Sequence, residues 1–128
     1  MKIIAKILIV DDDRDIMDLF EQFLTLGGHN IAARAFNGVE AINIFKNLQN
    51  KPDIVIMDHR MPLKNGLETT KELIKINPES KIIFVSADYT VRNEAFEVGA
   101  IDFLEKPIDF NTLNAMIEKY SSIKNEAI

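Results

Sequence analysis

Asp11, Asp12 and Asp13 follow one another directly, while Asp58, Ser86 and Lys106 stand far apart, each at the end of a short apolar run. Brought together, these residue types could do one kind of chemistry. Converging carboxylates repel, by roughly 4 kcal/mol for two unit charges about 4 Å apart at an effective dielectric near 20. A cluster of Asp11, Asp12 and Asp58 therefore needs a proton or a cation. The chain has no cysteine, and His29 and His59 are its only histidines. An all-oxygen ligand set favours Mg²⁺, Ca²⁺ or Mn²⁺. Mg²⁺ takes one or two carboxylates, keeps several waters, and then accepts a phosphate oxygen. Lys106 adds a positive charge where Pro107 turns the chain, and Ser86 adds a hydroxyl donor. Such groups suit a phosphoryl group, whose transfer depends mainly on positioning and charge neutralisation. The nucleophile would be a carboxylate. Asp58 is the best candidate, with Asp11 and Asp12 on one side and Lys106 on the other.

The order of elements is what must bring these residues together. Compact apolar runs at 7–10, 54–57, 82–85 and 101–104 are rich in β-branched residues and read as strands buried on both faces. A weaker strand is expected at 31–36, where Arg34 dilutes the apolar character. Helical stripes lie between them. Ile16, Leu19, Phe20, Phe23 and Leu24 form the first, capped by Asp12 or Asp13 and ended by Gly27 and Gly28. Ala41, Ile42, Phe45 and Leu48 form the second. The third starts near Gly66, carries Leu67, Leu73 and Ile74, and stops at Pro78. Val91, Ala95 and Val98 form a short fourth, closed by Gly99. Leu113, Met116, Ile117 and Tyr120 form the fifth, with Asp109 as N-cap and fraying from about Ser121. Strand and helix thus alternate five times. That pattern predicts an α/β fold, a five-stranded parallel doubly wound sheet in order 2-1-3-4-5 with five helices. In such a sheet ligands sit beyond the carboxyl ends of strands 1 and 3. Asp11 and Asp58 stand at those two ends.

Composition narrows the function classes. A chain of 128 residues with 47% hydrophobic residues can bury one core, so a single domain over 1–128 is expected, with its core at about 5–121. The absence of cysteine excludes disulfides and thiolate metal sites. A net charge of −5 argues against nucleic acid as the main partner. No apolar run approaches a membrane span, and Met1 to Lys6 does not read as a leader, so a cytoplasmic location is expected.

The sequence resembles the receiver domain of two-component response regulators. Leu8-Ile9-Val10-Asp11-Asp12-Asp13 is similar to the family's acidic-pair strand, and Asp58 within Asp53 to Pro62, followed by Asn65-Gly66, to its phosphoacceptor segment. Ser86-Ala87 matches the switch hydroxyl, and Gly99-Ala100, Phe103 and Lys106-Pro107 match the last strand. The resemblance implies a flavodoxin-like receiver fold and a set of roles. Asp12 and Asp58 would bind Mg²⁺ (or Mn²⁺) directly, Asp11 through water, and Arg60 through its backbone carbonyl. Lys106 and Ser86 would contact the phosphoryl group, and Phe103 would move inward when Ser86 swings over. The implied phosphodonor is a histidine kinase or phosphotransfer protein. The signal would leave through helix 4, strand 5 and helix 5, to a separate downstream protein or a homodimer. The domain would catalyse only its own phosphorylation and dephosphorylation.

Some residues have plainer readings. Asp13 is expected to cap a helix, and His59 to be exposed. Arg60 and Asp88, two residues after Asp58 and Ser86, are expected to rim the site with opposite charge and to modulate attack of water on the phosphoaspartate. Two other functions compete. A phosphatase of the haloacid dehalogenase type would use Asp11 as nucleophile and Asp13 as acid and base, but Arg14-Asp15 stand where that family wants Gly-Thr-like residues. A phosphorylation-independent docking receiver would have lost the acidic pair, the acceptor or the lysine, and all are present.

Overall fold

The apolar runs do form the strands. The computed structural model describes residues 4–126, with side chains up to Ser121; the first three residues of the start read as no leader lie outside them. Strands β1 (Lys6–Val10), β2 (Asn30–Ala35), β3 (Ile54–Asp58), β4 (Ile82–Ser86) and β5 (Asp102–Glu105) make one sheet in order β2-β1-β3-β4-β5. All its pairings are parallel. Helices α1 (Arg14–Leu26), α2 (Gly38–Asn47), α3 (Gly66–Ile76), α4 (Arg92–Glu97) and α5 (Phe110–Glu126) connect and flank the strands. No helix among the described residues is long and apolar enough to cross a membrane.

Strand alternation divides the core in two. Leu8, Val10, Val55, Met57, Ile82 and Phe84 face one side, under Phe45 of α2, Leu73 of α3 and Ala95 of α4. Ile7, Ile9, Ile54, Ile56, Ile83 and Val85 face the other, under Met17, Phe20 and Leu24 of α1 and Leu113 and Ile117 of α5. The three central strands can therefore be apolar at nearly every position. Both edge strands cannot. In β5 only Phe103 is buried, so the expectation of burial on both faces fails there. Asp102 in that strand accepts a 2.6 Å hydrogen bond from the Tyr120 hydroxyl. This bond, with burial behind it, pushes the Tyr120 pKa up to about 12 and ties α5 to the sheet. Arg34 of β2 reaches Glu21 at 2.6 Å and Asp18 at 2.8 Å on α1. Buried His29 accepts the Ala5 N–H at Nδ1 (3.0 Å) and meets Asn114 Oδ1 through Nε2 (2.8 Å). It is a structural pin between β1 and α5.

The helix ends mostly follow the signals. Asp13 caps α1, accepting from the Asp15 and Ile16 amides. Asn65 and Glu68 form a reciprocal capping box on α3. Four expectations need correction. Met17, not Leu19, enters the α1 core, and Leu19 is 49% exposed, because α1 carries two apolar seams and the sheet takes only one. Leu48 caps α2 rather than extending its stripe. The fourth helix opens as a 3₁₀ turn at Tyr89–Val91, pinned by Asp88 accepting from Thr90 N–H. Helix α5 runs on to Glu126 instead of fraying from Ser121, since no Gly or Pro follows to stop it.

Thr70 of α3 is 0% exposed, and its hydroxyl has no partner among the described residues. An unpaired buried hydroxyl destabilises, whereas a methyl of the same shape does not. Thr70→Val should raise the unfolding free energy by about 1 kcal/mol in urea denaturation. A clear loss of stability would mean that the hydroxyl has a partner such as a buried water.

Candidate functional site

Register explains the convergence. Val10 pairs with Met57, Asp58 with Val85, and Ser86 with Glu105, so the residues ending β1, β3, β4 and β5 lie side by side. Asp11 N–H donates to the Ala35 carbonyl (3.1 Å), and Lys106 N–H to the Ser86 carbonyl (3.0 Å). Asp11, Asp12 and Asp58 each bring a carboxylate oxygen to one point, all within 4.8 Å of one another. Asp11 is 2% exposed and Asp58 8%, while Asp12 opens to solvent. Lys106 Nζ lies 3.2 Å from both Asp11 Oδ2 and Asp58 Oδ1. Asp13 N–H donates to Asp11 Oδ1 at 2.9 Å, which fixes that carboxylate and leaves its other oxygen to the lysine.

One lysine does not balance this cluster. Burial, and then the charge of Asp11, push the Asp58 pKa up to about 6, against the opposing pull of Lys106. Burial alone would lower the Lys106 pKa, but Asp58 and Asp11 outweigh it and hold it above the ordinary value. A buried carboxylate that takes a proton this readily lacks positive charge. An all-oxygen set with one solvent-facing member, Asp12, fits a hard divalent cation that keeps part of its water.

Ser86, Arg60 and Asp88 line, with the carboxylates and Lys106, a cavity of about 620 Å³. Ser86 is buried, and its Oγ accepts the Asp88 N–H at 3.0 Å, so its own proton is free to donate elsewhere. Arg60 and Asp88 meet across the mouth at 3.5 Å, with the Arg60 side chain 82% exposed. The Asp88 carboxylate is held below its ordinary pKa, first by Thr90 and then by Arg60. Phe103 lies apart from the carboxylates and is already inside. It stacks on Phe84 (centroids 5.9 Å apart) with the edge of Tyr89 against it. His59 is not exposed but half-buried against Phe84, and burial lowers its pKa. Tyr89 and Thr90 also line the cavity and were not foreseen. Their place three and four residues after Ser86 was the available signal.

An acidic cluster, a lysine and a hydroxyl at the carboxyl edge of a doubly wound sheet define the receiver class of signalling domains. The model of the response regulator receiver domain matches residues 7–118, and the chain belongs to that family. It is 39% identical to the chemotaxis protein CheY of Thermotoga maritima, over 91% of this chain and 97% of that protein. Some curated relatives are longer, and the chain spans 54% of one and 25% of another. Among solved structures, a receiver domain protein from Clostridium thermocellum superposes with a TM-score of 0.89 at 28% identity, covering 97% of this chain and 99% of that one. The response regulator TrrA of Thermotoga maritima, solved in complex with Mg²⁺ and BeF, gives 0.81 at 32% identity, covering 90% and 97%. Phosphorylation-based two-component signalling is the business of this family, and the phosphatase reading is not favoured. Receiver domains bind Mg²⁺ at the acidic site, work as signalling domains rather than ordinary enzymes, and interact with histidine kinases and downstream targets.

The raised pKa of Asp58 makes a prediction about stability. Between its ordinary value of 3.8 and about 6, the folded chain binds this proton and the unfolded chain does not. Asp58 therefore opposes folding fully above about pH 6, and the opposition fades as pH falls toward 3.8. In EDTA, Asp58→Asn should be more stable than wild type by on the order of 2 kcal/mol near neutral pH. That advantage should shrink steadily on acidification through this window, and Mg²⁺ should narrow it at neutral pH. An advantage that stays constant with pH would show that burial does not strain Asp58.

Proposed function

We propose that this chain is a phosphorylatable switch acting as one receiver unit over residues 1–128, in the cytoplasm, with Asp58 as phosphoacceptor. The observation that carries the reading is Lys106 Nζ at 3.2 Å from both Asp11 and Asp58, with Asp12 completing an oxygen cluster within 4.8 Å. An Asp58 carboxylate oxygen attacks the phosphorus of a phosphohistidine. The new O–P bond forms as the N–P bond breaks, and the imidazole nitrogen keeps the electron pair and takes a proton. Mg²⁺ or Mn²⁺, held by Asp12, Asp58, Asp11 through water and the Arg60 carbonyl, would neutralise the phosphoryl oxygens. Lys106 pairs with the product, and the free Ser86 proton turns toward it. Arg60 and Asp88 gate the water that later cleaves the acyl phosphate. Ser86 and Phe103, the latter from its inward position, set the surface of α4, β5 and α5 for a separate protein target or for a second copy. The net charge of −5 favours a protein over nucleic acid there.

The phosphodonor has a seat beside the site. Ile16, Leu19, Phe23 and Leu26 form the outer seam of α1, with Leu26 79% exposed. Ile16 and Leu19 join Pro107, Ile108 and Phe110 around an apolar hollow that also reaches Ala87 and Lys106 of the acidic cavity. The spacing of the seam, three then four then three residues, suits a partner helix. A helical donor seated there would carry its phosphohistidine to Asp58.

Acetyl phosphate with Mg²⁺ should add one phosphoryl group to the wild type, seen by intact mass, and none to Asp58→Asn or to EDTA-treated protein. Label on Asp11 instead would return the phosphatase reading. Arg60→Ala and Asp88→Ala should each change the dephosphorylation rate about threefold, a barrier change of roughly 0.6 kcal/mol. Unchanged rates in both would remove the rim role.

A further inference from the structure

The phosphoacceptor cavity has one wall that its charge does not explain. Apart from Ala87, the residues lining it are charged or carry a hydroxyl, and Tyr89 brings the one aromatic ring. Tyr89 is 57% exposed. A ring this open adds little to folding, since much of its apolar surface stays in water. Yet it is held in place. Asp88 accepts the Thr90 N–H at 3.0 Å, which fixes the 3₁₀ turn that begins at Tyr89. The ring meets Phe103 nearly at right angles, with an interplanar angle of 89° and centroids 6.1 Å apart. Phe103 is itself buried and stacked on Phe84, which makes it a firm support. A perpendicular contact leaves at least one face of Tyr89 uncovered by Phe103.

The chemistry of the cavity says what that face would meet. With Asp58 as acceptor, the carboxylates, Lys106 and Ser86 deal with the phosphoryl end of a donor, and the leaving group remains outside them. For phosphohistidine that group is a flat imidazole. Asp58 forms the O–P bond as the N–P bond breaks, and the ring nitrogen keeps the electron pair. One proton, taken from solvent before the bond breaks, makes the ring cationic, and it departs as neutral imidazole. The face of a tyrosine attracts a flat cation, and ring against ring removes apolar area from water. A donor without a ring gains nothing from that face. Ala87 lines both this cavity and the apolar hollow beside α1, so a donor seated in the hollow opens onto the cavity that Tyr89 lines.

We propose that Tyr89 is a specificity-determining residue: its free face stacks on the imidazole leaving group and favours phosphohistidine over ringless phosphodonors. The inference rests on the phosphoacceptor reading of Asp58 and deepens it. It concerns the leaving group alone, and the phosphoryl group keeps its own partners.

The test measures second-order labelling rate constants with Mg²⁺, by intact mass, for three small donors. Phosphoimidazole has the ring, phosphoramidate has a P–N bond without the ring, and acetyl phosphate has neither. Tyr89→Ala removes the ring, Tyr89→Leu keeps apolar bulk without a π face, and Tyr89→Phe keeps the face without the hydroxyl. With phosphoimidazole, Tyr89→Ala and Tyr89→Leu should label about fivefold more slowly than wild type, and Tyr89→Phe within about twofold of it. With the two ringless donors all three variants should stay within about twofold of wild type, which also shows that the site is still folded. Equal slowing of Tyr89→Ala and Tyr89→Leu with every donor would overturn the proposal and make Tyr89 a support for the cavity. Unchanged phosphoimidazole labelling in Tyr89→Ala would overturn it too. So would a full rate in Tyr89→Leu, which would mean contact without stacking. A loss in Tyr89→Phe equal to that in Tyr89→Ala would overturn it by assigning the effect to the hydroxyl. No labelling of Asp58 in the wild type by any donor would instead bring down the underlying reading, and this one with it.

Discussion

Everything at the carboxyl edge of this sheet depends on an excess of negative charge in a place with little water. Asp11 and Asp58 are nearly fully buried, and Lys106 is the one cation that the described residues bring to them. Each ion pair at 3.2 Å contributes roughly 5 kcal/mol of attraction at an effective dielectric near 20. Repulsion between the carboxylates and the loss of hydration oppose it. The raised pKa of Asp58 is the visible residue of that contest. A fold selected for stability alone would have an apolar or hydrogen-bonded pair here. The imbalance makes sense as readiness for a cation and for the anionic group that follows it.

The parallel sheet is what makes the imbalance sustainable. The three central strands are buried on both faces, so their backbones cannot slip and Asp11 and Asp58, which end two of them, cannot separate. The same packing runs from the site to the surface. His59 lies against Phe84, Phe84 stacks on Phe103, and Phe103 meets the edge of exposed Tyr89, with centroids about 6 Å apart at each step. The first ring follows the acceptor in sequence, and the last lines the cavity beside the start of α4. Close-packed rings have few arrangements. A change in the Ser86–Asp88 loop, which lines the cavity and leads directly into Tyr89, therefore has a short physical route to that surface.

How far the sequence was legible follows from the same physics. Strand runs such as Ile54 to Met57 and Ile82 to Val85 could be read because burial on both faces removes ambiguity about side-chain direction. The carboxylates could be read because each ends such a run. Helix α1 could not be read fully. Met17, Phe20 and Leu24 make one seam and Ile16, Leu19, Phe23 and Leu26 another, and only the sheet decides which turns inward. His59 was misjudged for a related reason: its half-burial comes from Phe84, far away in sequence. The positive φ of Leu63, 72°, left no signal, because residue type argues against it.

The switch itself is best weighed by what Ser86 exchanges. Its oxygen already accepts the Asp88 N–H, so swinging toward a phosphoryl group would give up one ordinary hydrogen bond. Such a bond contributes about 1 kcal/mol, and its charge-assisted replacement roughly 1.5–3. The gain of about 0.5–2 kcal/mol shifts a two-state equilibrium by roughly two- to thirtyfold. Inverting a 1:99 population needs about 5.5 kcal/mol. The hydroxyl alone therefore cannot throw the switch. The remainder must come from Lys106 and the cation tightening on a group more anionic than the carboxylate it replaces. In the proposed switch, a Phe103 ring that already rests inside the core would bring the two starting populations closer together.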